Sequence, residues 1–372
     1  MKKTSKLLMI LGLAFCLTSC TFEVKPSNKK LHEYYADYFP IGAAFNNVNV
    51  DIYNETLAYE FNSLTCENEM KWVNLQPNKG VYQFDEADMM VKYAKDHNMV
   101  IRGHALVWHN KAASPSYIFR DENDNLVSKE ELKATMKDHI RTVISHFGDD
   151  VYCWDVVNEA ITDDIDQPKD DRSNIYTKCD WYSILGEEYV LLAFKYAKEI
   201  IDELGLNIKL FYNDYEMANP LKRQKTLMML EYLLENDCPI DGIGMQSHYH
   251  MSSFSMDEFE KSIIEFSKLG LEVQITEFDV NIYDRNKSYT SYYDFELPQV
   301  AEEMQAAIYD RAFEIMRKHK DVITGVTFWG IADDMTYMDN DPNTFSAGHK
   351  NYPYVFDTEH NKKLAYEAIT NF

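Results

Sequence analysis

Short runs rich in apolar, β-branched and aromatic residues recur along this chain, and longer stretches with apolar residues at helical spacing separate them. The runs Ile41 to Phe45, Ser63 to Cys66, Val100 to Ala105, Cys153 to Val157, Lys209 to Tyr212, Gly242 to Gln246, Glu272 to Thr276 and Gly325 to Trp329 predict strands. Helices are predicted over Glu86 to Asp96, Glu131 to Phe147, Glu187 to Leu204, Pro220 to Asn236, Ser255 to Leu269 and Val300 to His319. Strands that alternate with helices form a parallel sheet, because each crossover returns the chain to the same end of the sheet. Eight such strands close a (β/α)8 TIM barrel in a chain of 372 residues, so the expected class is α/β with one barrel domain. A doubly wound open sheet is the competing fold. Neither GxGxxG nor a P-loop follows any of the strands, which weakens the case for the usual occupants of that alternative.

From Tyr38 onward there is no low-complexity linker, long like-charge run or internal repeat, so residues 38–372 are expected to be the single domain. The start of the chain differs. Lys2, Lys3 and Lys6 precede an apolar run from Leu7 to Leu17, too short to span a bilayer, and Leu17-Thr18-Ser19-Cys20 follows. That ending resembles the lipobox of bacterial lipoproteins, which implies a leader over residues 1–20, with Cys20 acylated as the first mature residue. Ordinary secretion is the alternative. Residues 21–37, with Pro26, Ser27 and Asn28, are expected to be a tether and lead-in segment. The expected location is outside the cytoplasm, lipid-anchored to a bacterial membrane and either periplasm-facing or at the cell surface.

Charge and cysteines narrow the partners. Three lysines leave with the leader, taking the net charge from -24 to -27, and so acidic a chain repels phosphate backbones and anionic lipid heads. No nucleic-acid partner is expected, and the membrane is reached through the lipid only. Export permits disulfides, but Cys66, Cys153, Cys179 and Cys238 form no CxxC pair, and Cys66 and Cys153 lie in strand-like apolar runs. No required disulfide is expected. A monomer is the expected state.

Chemistry is concentrated where strands stop. Glu67-Asn68, His104, Asn158-Glu159, Asn213-Asp214, Gln246, His248, Glu277, Asp279 and Trp329 sit at the ends of predicted strands, and in a barrel those ends converge on the face that carries active sites. Glu159 and Glu277 each directly follow a predicted strand, the fourth and the seventh, and so oppose each other across the barrel mouth. Opposed carboxyl groups suit glycosidic cleavage, in which one protonates the leaving oxygen and the other meets the developing oxocarbenium ion. His248 and His250, with His104 and His109 elsewhere, suggest a metal-dependent hydrolase as an alternative. The preferred reading is a hydrogen-bonded chain of Glu277, His248 and Asp279 that orients one carboxylate, with no metal and no cofactor. Trp72, Trp108, Trp329 and Tyr337, with Asn68, Lys71, Asn158, Asn213 and Gln246, supply flat faces and polar groups for sugars.

Seven stretches, FNSLTCENEMKW (Phe61 to Trp72), RGHALVWH (Arg102 to His109), WDVVNEA (Trp154 to Ala160), YNDY (Tyr212 to Tyr215), DGIGMQSH (Asp241 to His248), ITEFDV (Ile275 to Val280) and TFWG (Thr327 to Gly330), occur in the order found in one family. The chain resembles the endo-β-1,4-xylanases of glycoside hydrolase family ten from about Ile41 to Asp357. That resemblance implies a retaining barrel enzyme cutting xylan and xylooligosaccharides internally, without a metal, with Glu159 as acid/base and Glu277 as nucleophile. It implies that Asn158 contacts the hydroxyl beside the anomeric carbon, that Glu67, Asn68 and Lys71 hold glycone sugars, and that His104, Trp108, Asn213, Tyr215, Gln246, His248, Trp329 and Tyr337 lie at subsites. Two positions depart from the family pattern, Lys111 where Gln is usual and Tyr337 where a second Trp is usual, and both are expected in the sugar cleft. A non-catalytic carbohydrate-binding barrel would lack one carboxylate; both are present.

Overall fold

A computed structural model describes residues 29–372; the predicted leader, Cys20 and the tether as far as residue 28 lie outside the described residues. Eight parallel strands form the barrel: β1 (Ile41–Phe45), β2 (Ser63–Cys66), β3 (Val100–Gly103), β4 (Cys153–Asn158), β5 (Lys209–Asp214), β6 (Gly242–Met245), β7 (Glu272–Asn281) and β8 (Ile323–Phe328). Each pairs with its sequence neighbour, and β8 pairs with β1, as Ile41 opposite Val326 and Ala43 opposite Phe328, so no edge is left open. Strand runs are buried almost throughout because helices cover the outside while side chains fill the inside.

The helices follow their sequence signals closely. Those over Asp85–Asp96, Lys129–Phe147, Glu188–Leu204, Pro220–Glu235, Met256–Ser267 and Gln299–Lys318 match the predicted ones to within two residues at each end. Ser128 and Ser255 cap two of them through their side chains, and Asn219 followed by Pro220 starts a third. A further helix, Val50–Glu60, buries Val50, Tyr53 and Leu57 on one face.

Two boundaries differ from the sequence expectation by more than two residues. β7 runs on to Asn281, so Glu277 lies inside a strand instead of after one; parallel pairing of His248–His250 with Asp279–Asn281 extends it. At the other end of the chain the packed body begins before residue 38. Leu31 and Tyr35 are fully buried, and Tyr35 stacks on Phe39 and meets Phe313. Glu60 accepts from the Leu31 N–H at 2.7 Å, which fixes the lead-in segment to the barrel.

The barrel interior carries charge. Arg102 pairs with Asp155 and donates to Gln274 Oε1 at 3.1 Å, all buried. Gly244 makes room for the functional end above this layer. A Cβ there would collide with Asn213 Oδ1 and come within 2.8 Å of Thr276 Cγ2.

Candidate active site

A cleft of about 840 Å³ opens at the C-terminal ends of the strands, lined among others by Lys71, His104, Trp108, Asn158, Glu159 and Gln246. His248, Glu277, Asp279, Trp329 and Tyr337 continue the lining, together with Tyr215 and with Arg285 and Thr344 from the loops after β7 and β8. These loop residues carried no sequence signal.

Glu159 follows β4 on a turn with φ 58°, a left-handed conformation that a residue with a long side chain adopts only under constraint. Its N–H donates to the Asn213 carbonyl at 2.9 Å. Trp108 Nε1 donates to one carboxyl oxygen at 2.8 Å and Gln246 Nε2 to the other at 3.0 Å. The residue keeps some surface open to the cleft while protein crowds it from every side, and this burial, with the charges of Asp214 and Glu277, pushes its pKa up to about 7 against the pull of the two donors.

Glu277 faces the same cleft from β7 and is 4 % exposed. Asn213 Nδ2 donates to one oxygen at 2.8 Å and His248 Nε2 to the other at 3.0 Å. Burial pushes this carboxyl up as well, but His248, His104 and Asn213 hold it below the usual carboxylate range. His248 completes a chain through Nδ1 to Asp279 at 2.6 Å. Burial opposes its charge, yet Asp279 and Glu277 raise it to about 10, so at neutral pH it is an imidazolium donating from both nitrogens. Two-residue periodicity explains the chain: Glu277 and Asp279 point to one face of β7, and His248 pairs in register with Asp279. His250 does not join it. Ser252, Ser253 and, at 3.6 Å, Asp284 are its partners, and among the described residues no group of three or more His, Cys, Asp or Glu is placed to hold a metal.

Asn158 links the halves. Its Oδ1 accepts from Asn213 Nδ2 at 2.9 Å and Gln246 Nε2 at 3.3 Å, while its buried Nδ2 has no protein partner and is a donor available to a ligand hydroxyl. His104 bonds Asp155 at 2.9 Å and sets its ring edgewise to Trp329. On the glycone side expected from the sequence, Lys71 Nζ donates to Asn68 Oδ1 at 2.9 Å and lies 5.4 Å above the Trp108 ring. Glu67, half-buried beside them, accepts from Asn46 at 2.7 Å. Tyr337 lies against His248, with its hydroxyl 3.4 Å from Nδ1.

Three expectations need correction. Asn213 has no exposed surface; it is spent on Asn158, Glu277 and Thr276, so it orients the nucleophile candidate and does not touch sugar. Trp72 is core, stacked on His139 at 3.6 Å with its Nε1 on Tyr117. Lys111 is exposed and does not line the cleft. Conversely, Arg102 and Asp155, which brace His104, were missed; a charged residue in mid-strand was their signal. The four cysteines outside the leader carry free thiols, three of them buried.

Residues 30–372 match the sequence profile of glycosyl hydrolase family 10. A β-1,4-xylanase of Dictyoglomus thermophilum is 40% identical over 98% of this chain and 97% of its own length, and an endo-1,4-β-xylanase of Geobacillus stearothermophilus is 37% identical over 92% and 98%. The crystal structure of an endo-1,4-β-xylanase from Caldicellulosiruptor owensensis superposes with a TM-score of 0.85 at 38% identity, covering 92% of this chain and all of the other.

Proposed function

The chain belongs to glycosyl hydrolase family 10, and from that premise we propose that it is a retaining endo-1,4-β-xylanase in which Glu277 is the nucleophile and Glu159 the acid/base. The observation that carries the role assignment is the opposite treatment of two carboxyl groups in one cleft: one is held ionised by an imidazolium, the other is kept protonated near neutrality. In the first step a Glu277 oxygen bonds to the anomeric carbon as the glycosidic bond breaks, and the Glu159 proton goes to the leaving oxygen. Glu159, now ionised, takes a proton from water, whose oxygen displaces Glu277 and restores the β configuration.

The other side chains serve binding. The free Asn158 Nδ2 is placed to donate to the hydroxyl next to the reacting carbon, where such a bond strengthens in the transition state. Lys71, which lines the cleft, holds the glycone together with Asn68, to which it donates, and Glu67 beside them, and Trp108, Trp329, Tyr215 and Tyr337 give apolar faces to the rings. Gln246, His248 and Asp279 orient the two carboxyl groups, and His104, held by Asp155, lines the cleft beside them. The test is hydrolysis of a panel of plant polysaccharides, with proton NMR of the first product anomer. Internal cleavage of xylan with an initial β-anomer is expected, and retention goes with carboxyl groups about 5 to 5.5 Å apart. An initial α-anomer overturns retention.

The same reading places the enzyme outside the cytoplasm on a lipid at Cys20, supported by the charged start, the short apolar run and the Leu-Thr-Ser-Cys ending. Incorporation of labelled palmitate that Cys20→Ala abolishes is the expected result.

A further inference from the structure

The helix Pro220–Glu235 begins unusually, burying Lys222, Arg223 and Lys225 in its first two turns. Arg223 is occupied by Glu258 and Glu265 on the neighbouring helix. Lys222 turns instead toward the end of β4. Its ammonium has three protons and three acceptors: the Ile161 carbonyl at 2.8 Å, Asp163 at 2.8 Å and Asp214 at 3.2 Å. It also lies 4.1 Å from the centre of the Tyr215 ring, which lines the cleft.

Asp214, the last residue of β5, has no exposed surface and is equally committed. It accepts from the Tyr212 hydroxyl, from the Tyr215 N–H at 2.8 Å and from the Ile161 N–H at 3.4 Å. Tyr212 in turn accepts from the Ala160 N–H at 2.9 Å. Four backbone groups of the left-handed turn at Glu159 are therefore tied to β5 or to Lys222: the N–H of Glu159, of Ala160 and of Ile161, and the carbonyl of Ile161.

We propose, building on the acid/base role of Glu159, that the buried Asp214–Lys222 pair is its positioning element, which clamps the turn carrying Glu159 and fixes a negative charge beside its carboxyl. The other charged and titratable groups near that carboxyl are Glu277 from β7, Lys71 from the loop after β2, and Tyr215; His109 lies against the Glu159 backbone. Of these, Glu277 must stay ionised to attack and Lys71 works in the opposite direction. Asp214 is the one anion near Glu159 with no part of its own in bond breaking, and burial, Asp214 and Glu277, in that order, raise the Glu159 carboxyl. Lys222 makes a buried Asp214 carboxylate tolerable, since an unpaired charge there would be neutralised or would disrupt the turn.

Asp214→Asn keeps the shape and removes the charge. In protein carrying carboxyl-labelled 13C glutamate, with the Glu159 signal identified by its loss in Glu159→Gln, the Glu159 midpoint is expected near pH 7 in the wild type and at lower pH in Asp214→Asn. The basic limb of kcat/KM on xylan should move the same way, so that activity at pH 8 falls roughly three- to tenfold more than at pH 6. Lys222→Met alone should lower the melting temperature more than the double variant Asp214→Asn with Lys222→Met, because only the single variant strands a buried charge. A Glu159 midpoint that does not move, or moves upward, in Asp214→Asn overturns the proposal, as does a double variant no more stable than Lys222→Met. The NMR midpoint needs no turnover, so a chain inactive on xylan would sink the functional reading and leave this one decided on its own evidence.

Discussion

Around Glu159 the hydrogen-bond donors are neutral, Trp108 and Gln246, and the charges that raise its carboxyl are the anions Asp214 and Glu277. Around Glu277, in the same cleft, one donor is the His248 imidazolium, itself anchored by Asp279, and the other is the amide of Asn213. Burial pushes both carboxyl groups toward the neutral form, so it does not distinguish them. The cation does. One barrel mouth thus holds an acid and a base at the same pH because one carboxyl group is hydrogen-bonded by a cation and the other by neutral donors only.

The largest expected effect comes from removing either carboxyl group. Glu159→Ala should cost on the order of 10² to 10⁴ in kcat on xylan, the range of general acid–base catalysis, and Glu277→Ala should cost more. The comparison is sharpened by azide. Without Glu159 the glycosyl-enzyme still forms from a substrate with a good leaving group and azide discharges it as a β-azide; without Glu277 azide attacks directly and gives the α-azide. Exchanged anomers would reverse the two roles.

A second experiment makes the two environments more alike. His248→Gln removes the cation beside Glu277, so the acidic limb of kcat/KM should move to higher pH, with activity at pH 5 down roughly 10- to 100-fold, the usual scale for losing a close opposite charge. The basic limb, set by Glu159, should move less. The sign for stability is opposite in pH. The folded His248 binds its proton more tightly than the unfolded one, so its contribution is fully present below pH 6.5 and lost as pH rises through about 10. Melting temperatures of the wild type should therefore drop over that window more steeply than those of the variant. Equal slopes would contradict the imidazolium assignment.

The smallest effect is expected at Tyr337, which touches the nucleophile side through His248. Its ring gives a sugar less flat area than an indole and leaves room beside the cleaved bond. Tyr337→Trp should improve kcat/KM on linear xylooligosaccharides by a fraction of the roughly 0.5 to 1.5 kcal/mol of a good aromatic contact, and impair arabinose-substituted ones. An unchanged ratio between the two substrates would show that the phenol does no more than pack on His248.

Much of this was legible in the chain because it is written at short range. Alternating strand and helix periods gave the barrel and placed the ends of six helices to within two residues. Polar residues ending apolar runs located the cleft, since a carboxyl group at a strand end of a barrel has one face to point to. Period two put Glu277 and Asp279 on one face of their strand, and pairing with Asp279 brought His248 to both. The errors have a common origin. Trp72 and Asn213 sit beside the right motifs, yet which way each side chain turns depends on His139 and Tyr117 in one case and on Gly244 and Thr276 in the other.

By itself, then, the sequence determined the barrel, the face that carries the cleft and the two carboxyl groups proposed for the chemistry, because periodicity and the polar residues that end apolar runs are local properties of the chain. Tertiary structure alone decided how each carboxyl group titrates, that Asn213 serves Glu277, that Tyr337 reaches His248, and that Lys222 and Asp214 lock the turn at Glu159. Those outcomes rest on charges and donors brought together from separate strands, and Coulomb and hydrogen-bond energies depend on separation in space, which spacing along the chain does not fix.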